Sequence, residues 1–342
     1  MFVIENAIRS VLRRTLDDPL NVLIVDGNNE KYISLLCQAP HNFYLWESPW
    51  NDEVEKRPDN LQLIGPQWPT SYFDMIICND RLDQYNQAVS LAQQLHLPIV
   101  LIDHCSSNVV KAADVFSKTT VQDPRSLHKN PTATISASEH INQSWPGGRL
   151  RLIIPPSIDV ERFCIQRERT VNKKIGTDLT ERRIVFDNSV SPQAAQIIFG
   201  AFKEKSYTVI PTDSPITDKQ EIYQQGDYFI HPYNNVTIKL LEAMACGNIP
   251  VCFNTPDIVE FIENNSDGFV INGLEDIVPT FSHLDELSDS ERTQMSQNAR
   301  NKAVSALVPE EDFASKWTSV FNYMKGQYYT AEPFSSHPSV AG

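Results

Sequence analysis

Residues 227–269 read DYFIHPYNNVTIKLLEAMACGNIPVCFNTPDIVEFIENNSDGF, and this stretch decides the fold. The pattern predicts a strand, a loop, a helix over Val236–Ala245, a Gly turn, a second strand and a second helix. Gly247 suits the left-handed residue that commonly ends a helix, and the apolar run after it predicts a buried strand. The apolar residues of the helix recur at the spacing that buries one face, and they are Leu240, Leu241, Met244 and Ala245.

One carboxylate, that of Glu242, falls inside this apolar helix. An ionised carboxylate is costly to bury unless a partner binds it. Two interpretations are therefore compatible with the pattern. Either Glu242 faces solvent on the polar stripe of the helix, or it accepts hydrogen bonds from a ligand such as the ribose diol of a nucleotide.

The same stretch resembles the signature region of retaining, GT-B-fold glycosyltransferases of glycosyltransferase family 4. In that family a Glu and seven further residues precede Glu-Ala-Met-Ala-x-Gly and Pro-Val, and a Gly-rich turn, a Glu and a Gly follow. Glu242 matches the second Glu, and Ala243–Gly247 matches the run after it. Pro250-Val251, Glu260 and Gly268 match the later positions, so the resemblance rests on many residues in the same order.

The resemblance implies an α/β protein with the GT-B fold, in which two Rossmann-like domains with parallel sheets face across a cleft and a C-terminal helix crosses back. Strand and helix patterns alternate along the chain, which independently predicts parallel sheets covered by helices. Ile154–Phe163 resembles the family's interdomain linker. We therefore expect an acceptor-side domain at residues 1–155, a nucleotide-sugar-binding domain at 156–326 and a flexible tail at 327–342.

The resemblance also implies a donor site for a nucleotide-diphosphate sugar, most commonly a UDP-sugar, with the ribose on Glu242. Family members commonly hold the diphosphate with an Arg and a Lys near the start of the second domain. This sequence has Asn188, Ser189 and Ser191 there instead. Backbone N–H groups of the helix that starts at Ser191 would then bind the phosphates. Lys239 is the other candidate, unless it is simply an exposed helix lysine.

The first acid of the family's paired-Glu motif falls at Asn234, eight residues before Glu242. An Asn side chain can hydrogen-bond a sugar hydroxyl, but it cannot act as a base or offset positive charge. Asn235, Val236 and Thr237 would lie along the phosphates and sugar of the donor. The departure at Asn234 also leaves an alternative function open, that of a non-catalytic nucleotide-sugar-binding GT-B scaffold.

His104 is the second predicted catalytic residue, and it lies in the first domain. Pro98–His104 resembles the family's strand that ends in a His beside the donor sugar, near the reacting carbon. A lone His after a strand can equally have a structural role. Asp103 precedes it and would either orient it or point into the sheet. The resemblance implies no catalytic nucleophile, because in retaining members the leaving diphosphate assists front-face attack.

The composition limits the cellular compartments and the binding partners that are compatible with the chain. The 342 residues include 29 Lys and Arg against 43 Asp and Glu, a net charge of −14, which disfavours a large sequence-independent nucleic-acid footprint but allows a local basic face. The six cysteines have no paired spacing, which indicates reduced thiols, a cytoplasmic protein and no metal site. No apolar run is long enough for an integral membrane segment.

The acceptor has several candidates. Most family members act on surface glycans or lipid-linked glycans. The first domain is also similar to phage-encoded glycosyltransferases at Asn79–Tyr85 and Ile102–Ser106. Some of these modify hydroxymethylcytosine in DNA, so modified phage DNA is a further candidate acceptor, with the protein then in the host cytoplasm.

Overall fold

The computed structural model describes residues 18–25, 30–52, 55–64, 73–80, 82–95, 97–103, 132–144, 150–165, 182–186, 196, 198–200, 202, 207–212, 219–233 and 235–329. The chain divides into two compact units. The first unit comprises Met1–Asp103, Arg125–Ile154 and Glu310–Gly342, and the second comprises His104–Pro124 and Pro155–Pro309. Only the described residues of each unit are discussed below.

The first unit is built on a seven-stranded sheet in the order β3-β2-β1-β4-β5-β6-β7, with every neighbouring pair parallel. The strands β1, β4, β5 and β6 are buried along their whole length, as expected for continuous apolar runs covered on both faces. The elements are β1 (Asn21–Val25), α1 (Glu30–Leu36), β2 (Asn42–Trp46), β3 (Leu61–Ile64), β4 (Met75–Asn79), α2 (Leu82–Leu95), β5 (Ile99–Asp103), β6 (Ala133–Ser136), α3 (Glu139–Ser144) and β7 (Leu150–Ile153).

The second unit has a five-stranded parallel sheet in the order β12-β11-β10-β8-β9. Its central strand β10 is fully buried and has β11 and β8 as neighbours. The elements are β8 (Arg182–Phe186), β9 (Tyr207–Pro211), α4 (Lys219–Gln225), β10 (Tyr228–His231), α5 (Ile238–Ala245), β11 (Ile249–Phe253), α6 (Pro256–Phe261), β12 (Phe269–Ile271), a short 3-10 helix (Leu274–Asp276), α7 (Ile277–Glu286) and α8 (Asp289–Ser305).

The last helix, α9 (Glu310–Tyr329), returns to the first unit. Its Phe313 ring meets Tyr32 of α1 edge to face, with 5.5 Å between the ring centroids. The Lys325 ammonium donates to the Asp18 carbonyl at 2.7 Å. The chain thus crosses back after the second unit, as predicted, although the predicted domain limits had grouped this helix with the second domain. The helix also continues three residues into the predicted tail.

Helix α5 is the most deeply buried helix segment of the signature region. Every residue from Leu240 to Ala245 is buried, and most belong to one apolar cluster with α8. The α8 residues in that cluster are Ala299 and Ala303, both with no exposed surface. Their small side chains let the two helix backbones approach closely, so α5 is held between α8 and the sheet.

Candidate functional site

The start of α5 is defined by a side-chain cap. Thr237 has extended backbone angles, φ −102° and ψ 160°, and its hydroxyl accepts a hydrogen bond from the Leu240 N–H at 3.2 Å. This is the usual N-cap arrangement, in which a side-chain oxygen binds an N–H of the first turn. The helix therefore begins at Ile238, two residues after the predicted start at Val236, because the cap residue must stay outside the helix.

The end of α5 confirms the role predicted for Gly247. Its φ is +82°, in the left-handed region, and a Cβ there would lie 2.8 Å from Ile165 Cγ1. The Gly247 N–H donates to the Met244 carbonyl at 2.8 Å, and the Asn248 N–H donates to the Ala243 carbonyl at 3.0 Å. These two bonds form a Schellman motif, which satisfies the last carbonyls of the helix.

Glu242 lies in the middle of this helix and is only 1% exposed. Its burial excludes the interpretation that it faces solvent on a polar stripe. Its neighbours Leu241 and Ala243 are buried as well. Burying a carboxylate in an apolar cluster costs free energy that has to be offset by hydrogen bonds or by a bound partner. Its assignment to the ribose of a donor stays a prediction.

The loop between β10 and α5 is closed by His231. The imidazole is fully buried, and its Nε2 lies 2.8 Å from the carbonyl oxygen of Asn235. The Tyr233 ring lies against the imidazole, with 5.4 Å between centroids, and the Lys239 ammonium lies 5.7 Å from the centre of the Tyr233 ring. Lys239 therefore makes a cation–π contact at the start of α5. Val236 packs its side chain against the apolar cluster.

These contacts give the start of α5 a positive character. The N-terminus of a helix carries a partial positive charge, and the Lys239 ammonium is held beside the first turn. Phosphate groups bind well where backbone N–H groups and a cation converge. The arrangement is therefore chemically suited to an anion such as a diphosphate.

A second buried acid lies at the same edge of the sheet. Asp257 is 4% exposed and occupies the first turn of α6, directly after Pro256. Strands β10 and β11 are parallel neighbours with His231 opposite Cys252, so the loops that follow them leave the sheet side by side. Ligands of such sheets collect at this edge. The sequence-based search missed His231 and Asp257. A polar residue that ends a buried strand, and an acid that follows a Pro at the start of a helix, are usable signals.

The first unit has a buried acid of a different kind. Asp103 ends β5, has no exposed surface and is paired in register with Ser136 of β6. Burial, and then the charge of Asp80, hold the pKa of the Asp103 carboxyl well above its usual range, while Arg151 and the Ser136 hydroxyl act in the opposite direction. Burial and the proximity of Cys78 and Asp103 likewise raise the pKa of Tyr85. Of the two orientations predicted for Asp103, these neighbours favour the one that points into the sheet.

The remaining predicted site residues lie outside the described residues and stay predictions, and they are His104, Asn188, Ser189, Ser191 and Asn234. Among the side chains that the structure does describe, no group of three His, Cys, Asp or Glu residues is placed to hold a metal ion. Within the same part of the chain, none of the helices is both long and apolar enough to span a membrane.

A comparison with protein families identifies the domain. Residues 195–284 match the family model described as Glycosyl transferases group 1. The matched segment contains β10, α5, β11 and α6, and therefore His231, Lys239, Glu242 and Asp257 of the second unit. No match is found among curated proteins. The match confirms the predicted enzyme class, because the second unit carries a glycosyltransferase domain.

Solved structures resemble the chain over most of its length. HepE from Anabaena in complex with UDP and glucose matches with a TM-score of 0.64 and 12% identity over 89% of this chain and 100% of that chain. Sucrose-phosphate synthase from Thermosynechococcus elongatus matches with a TM-score of 0.64 and 14% identity, covering 91% and 100%. A glycosyltransferase from Rickettsia africae gives 0.56 and 11%, covering 90% and 99%. Together with the two parallel-sheet units, these likenesses confirm the predicted GT-B fold.

Proposed function

We propose that the protein is a retaining, metal-independent glycosyltransferase of the family 4 type that moves a hexosyl or pentosyl group from a UDP-sugar to a hydroxyl acceptor. The observation that carries the proposal is the buried carboxylate of Glu242, which lies in a capped helix inside the matched domain. A buried acid at the ligand edge of a parallel sheet suits the two hydroxyls of a ribose, because a carboxylate accepts both hydrogen bonds.

The diphosphate of the donor would bind at the start of α5. The helix dipole and the Lys239 ammonium both favour negative charge there. They would therefore compensate for the arginine and lysine that the family supplies near Asn188 and that this sequence lacks. HepE of Anabaena, which shares the fold, is described in complexes with UDP and with UDP-glucose, which supports UDP as the nucleotide.

The proposed reaction follows from this placement. The acceptor hydroxyl attacks the anomeric carbon on the face that the diphosphate leaves, the bond from that carbon to the phosphate oxygen breaks, and the hydroxyl proton passes to the departing diphosphate. Negative charge grows on the diphosphate as the bond breaks, so donors preorganised at the helix start stabilise the transition state more than the ground state. Asn234 and His104 would contact the sugar.

For the acceptor we propose a glycan or lipid-linked glycan rather than hydroxymethylcytosine in DNA. The net charge of −14 opposes the approach of a polyanion to most of the protein surface. The described cysteines are all free thiols, and four of the five are buried, which supports a reducing compartment such as the cytoplasm. A glycosylation assay that compares a lipid-linked glycan with hydroxymethylated duplex DNA distinguishes the two classes of acceptor. We expect sugar transfer to the lipid-linked glycan only.

The first experiment is a calorimetric titration of UDP, GDP and ADP into wild-type protein and into Glu242→Gln. We expect UDP to bind best and the variant to lose about 1–3 kcal/mol of binding free energy, the value of hydrogen bonds to a charged group. Glu221→Gln is the matched control, because this exposed acid of α4 undergoes the same chemical change.

Equal affinity of Glu242→Gln and wild type for UDP would refute the placement of the ribose. Wild-type protein that binds UDP, yet neither transfers nor hydrolyses the sugar of any UDP-sugar, would instead favour the non-catalytic scaffold that the departure at Asn234 suggests.

A further inference from the structure

His231 occupies an unusual position for an imidazole. It is the last residue of β10, a strand whose other members are apolar or aromatic and buried, and it has no exposed surface itself. Burying an imidazole is costly unless its polar atoms are hydrogen-bonded. The ring lies between two aromatic neighbours, Phe229 at 6.0 Å and Tyr233 at 5.4 Å between centroids. The ring therefore packs against two aromatic side chains in addition to being fully buried.

The hydrogen bond made by this ring spans the loop that leads into α5. Nε2 carries a hydrogen and donates it to the Asn235 carbonyl at 2.8 Å, because a carbonyl oxygen can only accept. The bond joins the end of the strand to a residue four positions later. It therefore ties the end of β10 to a residue two positions before the cap of α5.

The next two residues, Val236 and Thr237, are also held in place. Val236 packs against the apolar cluster of the unit, and Thr237 caps α5. Three consecutive positions before the helix are thus each held by a different interaction, and only the first of them depends on His231. Because the cap and the first turn follow without a break, a change in the Asn235 peptide is transmitted to the N–H groups at the start of α5.

We infer that His231 is a positioning residue for the donor: through the Asn235 carbonyl it holds the loop so that the start of α5 meets the diphosphate of the nucleotide-sugar. The inference rests on the proposed function, since it assigns the diphosphate to this helix. His231 itself does not touch the donor in this scheme. Its contribution is the geometry of the loop, which must be set before the donor binds.

The test compares two variants that each replace the imidazole by a side-chain amide and that differ by one methylene in side-chain length. In His231→Gln the amide nitrogen falls near the place of Nε2, and in His231→Asn it falls near the place of Nδ1, one methylene short of the Asn235 carbonyl. Hydrogen exchange of the amides between Tyr233 and Leu240 reports the loop directly, and calorimetry with UDP reports its consequence. His283→Gln is the control, because this imidazole is exposed on α7.

We expect His231→Asn to speed exchange of these amides and to weaken UDP binding about tenfold, the effect of one lost buried hydrogen bond, while His231→Gln stays within about threefold of wild type. The melting temperature of His231→Asn should lie somewhat below that of His231→Gln, and both variants should be fully folded at the temperature of the titration, so that unfolding does not explain the difference in UDP affinity. A His231→Phe variant, which keeps a ring without a donor, should behave like His231→Asn if it folds.

Amide exchange rates in His231→Asn equal to those of wild type would overturn the inference, whatever the UDP affinity of the variant. Faster exchange with unchanged UDP affinity would also overturn it, because the loop would then be ordered by His231 without serving the diphosphate. Equal losses in the Gln and Asn variants would contradict the role of the Asn235 carbonyl. If wild-type protein binds none of UDP, GDP and ADP, the proposed function fails, and the exchange data alone still show whether His231 orders the loop.

Discussion

Helices α5 and α9 are each buried within one unit, yet they are buried by side chains of different kinds. Helix α9 contributes three large rings with no exposed surface, those of Phe313, Trp317 and Phe321. Helix α5 contributes only aliphatic Leu, Met and Ala side chains to its cluster, and these share the cluster with the small side chains of Ala299 and Ala303 of α8. Large rings bury much apolar area and so add stability, whereas small residues bring backbones close and fix the polar atoms near them.

The polar groups of α9 and α5 differ in the same way as their apolar side chains. On α9 the buried ammonium of Lys325 donates to the backbone carbonyl of Asp18. This hydrogen bond joins two parts of the first unit. On α5 the acid Glu242, the cap Thr237 and the ammonium of Lys239 lie on the helix that follows the carboxyl end of β10. We therefore expect α9 to serve stability and, under the proposed function, α5 to serve donor binding, and the two roles can be tested separately.

The largest effect is expected for Trp317→Ala, which removes a fully buried indole from α9. The lost burial and the cavity left behind should lower the free energy of unfolding by about 3–5 kcal/mol. Urea denaturation measures this loss, and UDP titration under native conditions should give the wild-type affinity. A large loss of UDP affinity in folded protein would contradict the separation of roles.

A smaller effect on stability should depend on pH, and it arises at His41, whose ring packs against Phe321 of α9. Burial, and then the charge of Lys325, lower the pKa of His41 to about 4, and its Nδ1 accepts from the Leu20 N–H at 3.3 Å. The unfolded state, with an ordinary pKa near 6.5, therefore binds more protons between pH 6.5 and 4. Stability should be complete above about pH 6.5 and fall by up to about 3 kcal/mol as the pH drops through this window.

The variant His41→Gln isolates this contribution, because carboxylates that titrate in the same range are common to both proteins. Urea midpoints measured from pH 4 to 8 should fall less steeply in the variant than in wild type. Parallel curves for the two proteins would show that His41 keeps an ordinary pKa in the folded state.

The smallest effect compares two helix caps. Thr237 caps α5, and Ser288 caps α8 with its hydroxyl 3.3 Å from the Glu291 N–H. Thr237→Ala and Ser288→Ala should each lower the free energy of unfolding by about 1 kcal/mol. Only Thr237→Ala should also weaken UDP binding, because only this cap orders the proposed phosphate site. An equal loss of UDP affinity in Ser288→Ala would assign the effect to general stability.

Much of the secondary structure could be predicted from local pattern. The order predicted for residues 227–269 is the order of β10, α5, β11 and α6, because each of the two strands is a short apolar run that a polar or turn-forming segment follows. Helix α7, which contains Pro279, was not predicted. That proline falls in the first turn, where its missing N–H breaks no hydrogen bond within the helix. A proline is therefore compatible with a helix when it lies in the first turn.

The candidate site was only partly predictable. Glu242, Lys239 and Thr237 were identified by their places in one motif, whereas His231 and Asp257 were missed because neither has a partner nearby in the pattern. The His231 bond depends on how the loop after β10 folds back, and the burial of Asp257 depends on the register of β10 with β11. Loop conformation and strand register cannot be predicted from the hydrophobic periodicity of a single segment.

The amino-acid sequence by itself determined the parallel α/β class, the helix that carries Glu242 and the left-handed turn at Gly247, because these follow from local spacing and backbone sterics. Only the tertiary structure decided that Glu242 is buried, that His231 closes the loop before α5 and that α9 belongs to the first unit. The physical reason is that burial is a property of the partner surface: α8 covers α5 and α1 receives α9 across separations of many residues.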